Sequence, residues 1–333
     1  MNLKITDKPQ SKKLMENPKL INEDQSHKIQ NSARSSKKKF KLNVYSKEAI
    51  AGYLMILPWI IYFSVFIAGP MIGAFALSFT NWDILNGPKW IGLANFKEML
   101  HDEVFWDSIY NTLFYSVLAI PLHVITALIT ALLMNVRSRF IGIYRSLFYL
   151  PCIVSPVAIG LIWMWLLYPD FGLANLGLKS LGLPTLKWLY DAHLSKPIII
   201  AINTWQFGST MVILLAALQD VPVELLEAAE IDGANILEKI KNVTLPIISP
   251  VIFFVLILQT INSFQVFTYA FVMTNGGPSN STMFTVLYIW RNAFDYYRMG
   301  YASAIGLILF LITLGITLFL FWLSKYWVHY ETA

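Results

Sequence analysis

Six stretches of this 333-residue chain run for about 20 residues or more without a single Asp, Glu, Lys or Arg. Bilayer hydrocarbon is about 30 Å thick and a helix rises about 1.5 Å per residue, so each stretch has the length to cross it. The stretches are 51–73, 108–134, 146–168, 197–219, 250–273 and 299–324. The fifth needs a second criterion, because no charge occurs from Asn242 to Trp290. The breaker Asn275-Gly276-Gly277-Pro278 divides that interval, and Thr282–Tyr297 then reads as a partly amphipathic aromatic helix at the outer surface. With 56% hydrophobic and only 14% charged residues, the chain lies outside the range of soluble domains. The expected fold is an all-α integral membrane protein with six transmembrane helices.

Basic residues orient such a bundle, because Lys and Arg resist translocation. The tail, the 136–146 loop, the 220–245 loop and the C-terminus hold 18 of the 25 Lys and Arg. Both termini are therefore expected on the cytoplasmic side of a multi-pass cell-membrane protein. Residues 1–48 carry 12 of those basic residues and few aromatics, so they read as a disordered cytoplasmic tail and not as a secretory signal. Positive charge gathered in this way serves orientation at the lipid surface and implies no nucleic-acid partner. One cysteine, Cys152, allows no internal disulfide. The five histidines show no metal-binding spacing, and no catalytic residues or metal site are expected.

The 220–245 loop departs from the charge pattern, with six carboxylates against two lysines on a side where positive charge collects. Acids near Pro222 suit the positive end of a helix dipole, and Gly233 permits a turn that other residues resist. The loop reads as a helix ending near Asp232, a turn, and a second helix from about Ala234. By spacing alone it is equally an ordinary polar-capped loop.

Within it, Glu227, Ala228, Ala229, Asp232, Gly233 and Ala234, followed by Val243, Leu245, Pro246 and Pro250, resemble the EAA loop of binding-protein-dependent ABC importer permeases. Ile240 stands where that pattern often has Phe. Further similarity to the sugar permease group, of the maltose and glycerol-3-phosphate type, runs through GPMIGAFALSFTNWD, GLANF, NTLFYS, RSLFYLP, TNGGPSNST and GYASA in order, covering roughly Tyr53–Lys325. The resemblance implies a type I, MetI-like importer fold. It also implies a second permease subunit, two cytoplasmic ABC ATPase subunits, an extracellular solute-binding protein and a sugar substrate. Glu227 to Ala234 would then couple to the ATPase. The chain has no Walker phosphate loop, so it is expected to bind no cofactor, the ATP being used by the partner.

Membrane-buried charges mark ion paths, and none of the six stretches contains one. A secondary transporter driven by an ion gradient, the alternative reading, would favour intramembrane carboxylates or paired half-helices. Neutral polar residues gather instead in the fourth and fifth stretches: Asn203, Thr204, Trp205, Gln206 and Ser209, then Gln259, Asn262, Ser263, Gln265 and Thr268. Such groups suit sugar hydroxyls, although they equally hold helices together. The resemblance narrows the pathway to Ser155, Trp205, Gln206, Asn262, Ser263 and Gln265. His123 reads as a hydrogen-bonded packing residue. Without a cationic group here, a neutral sugar is expected before glycerol-3-phosphate.

Overall fold

The computed structural model describes residues 44–136 and 138–329. The expected disordered tail lies outside the described residues up to position 43, but helix α1 already begins at Val44 and runs to Tyr62, continuing through a wider π turn, Phe63–Ala68. Lys47 and Glu48 are good helix formers, which lets the helix extend past its apolar stretch. A first compact unit ends at Gly69 and a second begins at Pro70.

In chain order there follow α2 (Gly69–Leu77), the two-residue antiparallel strands β1 (Thr80–Asn81) and β2 (Lys89–Trp90), α3 (Ala94–Met99) and α4 (Glu103–Met134). Next come α5 (Ile141–Ile153), α6 (Pro156–Leu166), α7 (Leu173–Ser180), α8 (Ser195–Trp205) and α9 (Gly208–Gln219). The chain closes with α10 (Val223–Ile231), α11 (Ile236–Lys239), α12 (Leu245–Phe264), α13 (Thr285–Trp290) and α14 (Met299–Ser324). Among the described residues, four helical runs are long and apolar enough to cross a membrane: Ala51–Leu77, Glu103–Met134, Ile236–Phe264 and Met299–Ser324. Two bent pairs, α5 with α6 at 96° and α8 with α9 at 45°, raise the number to six if each pair is one span.

The third stretch is therefore not one straight helix, and the fifth is displaced. Its helix starts well before residue 250, because α11 runs through a π turn, Ile240–Thr244, into α12, carrying Glu238, Lys239 and Lys241 on the same continuous rod. It stops at Phe264 and not near residue 273. Charge content bounds the part of a helix that sits in lipid, not the helix itself. The 282–297 segment also differs from a surface-lying helix: Met283, Phe284, Thr285 and Leu287 are buried, and α13 packs on α4 and α14.

Helix α4 organises the bundle, packing against α8, α9 and α12. Ala119, His123, Ala127 and Ala131 recur every fourth residue and are all buried, so they share one face. Small side chains there let neighbouring backbones approach, and the approach maximises dispersion where lipid supplies no hydrophobic drive. At its start, the Asp102 side chain accepts the Phe105 N–H (3.1 Å) and the hydroxyls of Tyr288 (2.6 Å) and Tyr301 (2.5 Å). That carboxylate ties α4 to α13 and α14. Asn111 donates to the carbonyls of Asn280 (2.7 Å) and Met283 (3.1 Å), fixing the loop before α13.

Candidate functional site

Two apolar clusters, one around Tyr115, Ile199 and Leu287 and one around Ala127, Leu214 and Val255, make up the interior. A cavity of about 450 Å³ borders both, lined by Tyr115 from the first and Val255 from the second. Its polar lining comes from His123 on α4, Asn203, Gln206, Ser209 and Thr210 around the α8–α9 junction, Gln259 and Asn262 on α12, and Gln265, Thr268 and Tyr269 just beyond it. Among the described residues, no Asp, Glu, Lys or Arg lines it.

Three helix breaks meet at this cavity. Pro156, at the first turn of α6, lines it; Gln206, between α8 and α9, lines it; and the whole run from Gln265 to Tyr269 after α12 lines it. Interrupted backbone inside a membrane leaves N–H and C=O groups without helical partners, and it is tolerated where it faces a cavity or buried polar side chains. Gln206 supplies such partners. Its amide donates to the Pro151 carbonyl (3.3 Å), its side-chain oxygen accepts the Tyr269 hydroxyl, and its own carbonyl accepts the Cys152 thiol (3.2 Å). One side chain thus joins residues flanking all three breaks. Gly208 permits the approach: a Cβ there would lie 2.4 Å from the Phe148 carbonyl oxygen and 2.8 Å from the Tyr149 Cα.

Of the six residues anticipated for the pathway, Gln206, Asn262 and Gln265 line the cavity and Ser155, Trp205 and Ser263 do not. Ser155 is exposed at the α5–α6 bend. Trp205 is 45% exposed and meets Trp163 edge to face at 5.8 Å. Ser263 is buried, with its hydroxyl donating to the Thr260 carbonyl (2.9 Å). His123 is hydrogen-bonded to Thr210 (Nε2 to Oγ1, 3.1 Å), but it also belongs to the cavity wall. Tyr115 and Tyr269 were missed. The four-residue spacing Tyr115, Ala119, His123 could have placed Tyr115 on the same face.

The second notable element is the elbow formed by α10 and α11. Asp232 closes α10, and Gly233 follows at φ +84°. The Ala234 N–H reaches the Ala229 carbonyl (2.9 Å) and the Gly233 N–H the Glu230 carbonyl (3.0 Å), the paired bonds of a Schellman termination. Asn235 then caps α11 reciprocally with Glu238, at 3.0 and 2.7 Å. Lys239 bridges back to Glu230 at 2.7 Å, and its hydrogen bond, then its charge, hold the Glu230 carboxyl below its ordinary range. Glu227, Ala228, Asp232 and Gly233 are exposed, Ala229 and Ala234 partly so. Apolar side chains stand out beside them: Ile231 is 87% exposed, Leu237 76% and Ile236 75%.

A helical multi-pass protein whose interrupted spans enclose an uncharged polar cavity is a membrane transport component. Broken helices by themselves would also suit a secondary transporter. The family model of binding-protein-dependent transport system inner membrane components matches residues 101–328. The chain belongs to that family. It is 42% identical to the probable ABC transporter permease protein YesP of Bacillus subtilis, over 86% of this chain and 94% of that protein. It is 34% identical to the trehalose/maltose transport system permease protein MalF of Thermococcus litoralis, over 82% and 92% respectively. Among solved structures, it resembles a chain of a bacterial ABC transporter involved in the import of the acidic polysaccharide alginate. That match has a TM-score of 0.74 and 29% identity, and covers 84% of this chain and 96% of the other.

Proposed function

We propose that the chain is one of two permease subunits of an ATP-driven importer that moves a neutral sugar delivered by an extracellular binding protein. The single observation that carries the substrate class is the cavity lining, which combines amides, hydroxyls and aromatic rings with no formal charge. Amides and hydroxyls exchange hydrogen bonds with sugar hydroxyls, and aromatic faces cover the apolar C–H surface of a sugar ring. An acidic saccharide such as alginate would favour a cation that this lining does not supply. Ser155 and Trp205 are exposed next to two of the breaks and would be available to a sugar passing there.

With both termini cytoplasmic, the elbow faces a pair of ABC ATPases, and Glu227 to Ala234 with Ile231, Ile236 and Leu237 forms the docking surface. An apolar group three-quarters or more exposed, on a mainly acidic element, is favourably covered by a partner. ATP binding on the partner would then move α10 and, through the continuous α11–α12 rod, the α12 break at the cavity. Membership of the family of binding-protein-dependent transport system inner membrane components supports the dependence on a binding protein.

Co-purification with the ATPase tests this reading, followed by ATP-driven uptake of maltose, trehalose and an alginate oligosaccharide in proteoliposomes. Glu227→Lys and Gly233→Val are each expected to lower ATPase retention and uptake by about tenfold or more, with the permease still inserted. Undiminished uptake in both, or transport of the acidic sugar alone, would reject it.

A further inference from the structure

A second hollow lies where α3, the first turns of α4 and the first half of α14 meet. This groove encloses about 380 Å³, and apart from Lys97 every residue that lines it is apolar or aromatic. It shares no residue with the polar cavity. Arg298, which precedes α14, binds Glu98 of α3 at 2.5 Å, so Lys97 stands near the start of α14. Ile308 and Ile312 lie about 15 and 21 Å further along that helix, at a rise of about 1.5 Å per residue. Half of the hydrocarbon layer is about 15 Å thick, so the groove runs from a charged rim down into the bilayer core. Its rim is unlike a water-facing surface: Trp90, Leu93, Leu100 and Trp106 are each more than half exposed. Tryptophan collects at headgroup depth, and the Trp106 indole donates to the Leu100 carbonyl (3.2 Å), which holds the ring at the mouth. Lys97 makes no ion pair among the described residues, while the neighbouring Glu98 charge is met by Arg298.

We propose that this groove binds a phospholipid, with one acyl chain lying along Ile308 and Ile312 and the headgroup phosphate on Lys97. The chemistry changes along the groove as it does along a lipid, from a cation and an indole at one end to branched aliphatic side chains at the other. Met99 and Phe105, both buried, form the floor on which the chain rests. A water-soluble partner could reach the rim but not residues some 15 to 21 Å into the bilayer. A neighbouring helix needs more room: one turn, about 10 Å across and 5.4 Å long, already fills about 420 Å³. A single hydrocarbon chain is slimmer, and its phosphate supplies the anion that Lys97 lacks.

The test uses the full-length permease, purified, stripped of lipid and titrated with dioleoylphosphatidylglycerol, with bound lipid counted by native mass spectrometry. Lys97→Gln removes only the cation, from an exposed position, and Ile312→Trp fills the deep end of the groove. Leu311→Trp adds similar bulk to an exposed position of α14 outside the groove. The unmodified chain is expected to hold one lipid more tightly than all others. Lys97→Gln should weaken that lipid by about fivefold and Ile312→Trp by about tenfold, with Leu311→Trp within about twofold of the unmodified chain. If Ile312→Trp fails to fold, Lys97→Gln decides alone. Equal affinity in Lys97→Gln and the unmodified chain, or equal weakening by the two tryptophan variants, would overturn the site. So would an Ile312→Trp chain that keeps its lipid but no longer co-purifies with a second permease, because the groove would then be a subunit contact.

Discussion

The elbow and the cavity both draw on amides, glycine and proline, but the bonds that shape them span very different lengths of chain. In the elbow the capping bonds join residues three apart, and the Glu230–Lys239 bridge joins residues nine apart. At the cavity, Gln206 meets Pro151 across 55 residues and Tyr269 across 63. A locally determined element keeps its shape while its surroundings move; one assembled from three distant breaks changes shape when any of them shifts. The coupling lever and the sugar chamber proposed above would need these two opposite properties.

The sharpest way to break this contrast is at Gly208. Valine there would place its Cβ within 3 Å of the backbone of both Phe148 and Tyr149, which cannot retreat as a flexible side chain would. Overpacking typically costs about 1–3 kcal/mol, and a clash with backbone that cannot yield lies at the upper end. The purified Gly208→Val permease is expected to lose its monodisperse chromatographic peak. An intact peak and normal melting would show that α5 and α9 are loosely held, and that the cavity is less dependent on tertiary contact than its geometry implies.

Gln206→Leu comes next. It removes the bonds to Pro151 and Tyr269 and leaves the Tyr269 hydroxyl unpartnered, a penalty of about 1–3 kcal/mol. Uptake is expected to fall about tenfold with ATPase retention unchanged. Gln206→Glu, which keeps an acceptor for Tyr269, should recover part of the loss. Equal loss of ATPase retention would mean that the two regions are not separable.

The same contrast explains what could be read from the sequence. Six charge-free stretches, the acidic loop and Gly233 are each signals within one continuous run of chain, and the turn at Gly233 follows from glycine's access to positive φ. The breaks carried weaker marks. Pro156 and Pro151 flank the α5–α6 bend, but Pro121 lies inside α4 without interrupting it, so proline alone does not identify a break. The end of α12 at Phe264 has no breaker residue at all. It falls where Gln265, Thr268 and Tyr269 find the cavity and Gln206, and those partners exist only once the chain has folded. His123 was legible as hydrogen-bonded, whereas its position on the cavity wall depended on α8 and α9 lying opposite.

On the elbow side the effects should be smaller. Asn235→Ala deletes one half of the capping box and is expected to destabilise α11 by about 1 kcal/mol. ATPase affinity should weaken by no more than about fivefold, with maltose-to-trehalose selectivity unchanged. A change in selectivity would show strain travelling along the α11–α12 rod to the cavity.

The smallest effect belongs to the Glu230–Lys239 bridge. The folded carboxyl titrates below its ordinary value of 4.5, chiefly through the hydrogen bond from Lys239, so its stabilisation is present above that pH and fades as pH falls through the folded value. The Glu230 side chain is 73% exposed, and solvent screens most of the attraction. Glu230→Gln should therefore melt within about one degree of the unmodified permease at pH 7, and the two curves should converge as the pH falls through the folded value. A drop of several degrees at pH 7 would mean that the elbow draws on more than its chain neighbours. The distinction between a self-contained lever and a chamber held by distant contacts would then fail on the lever's side.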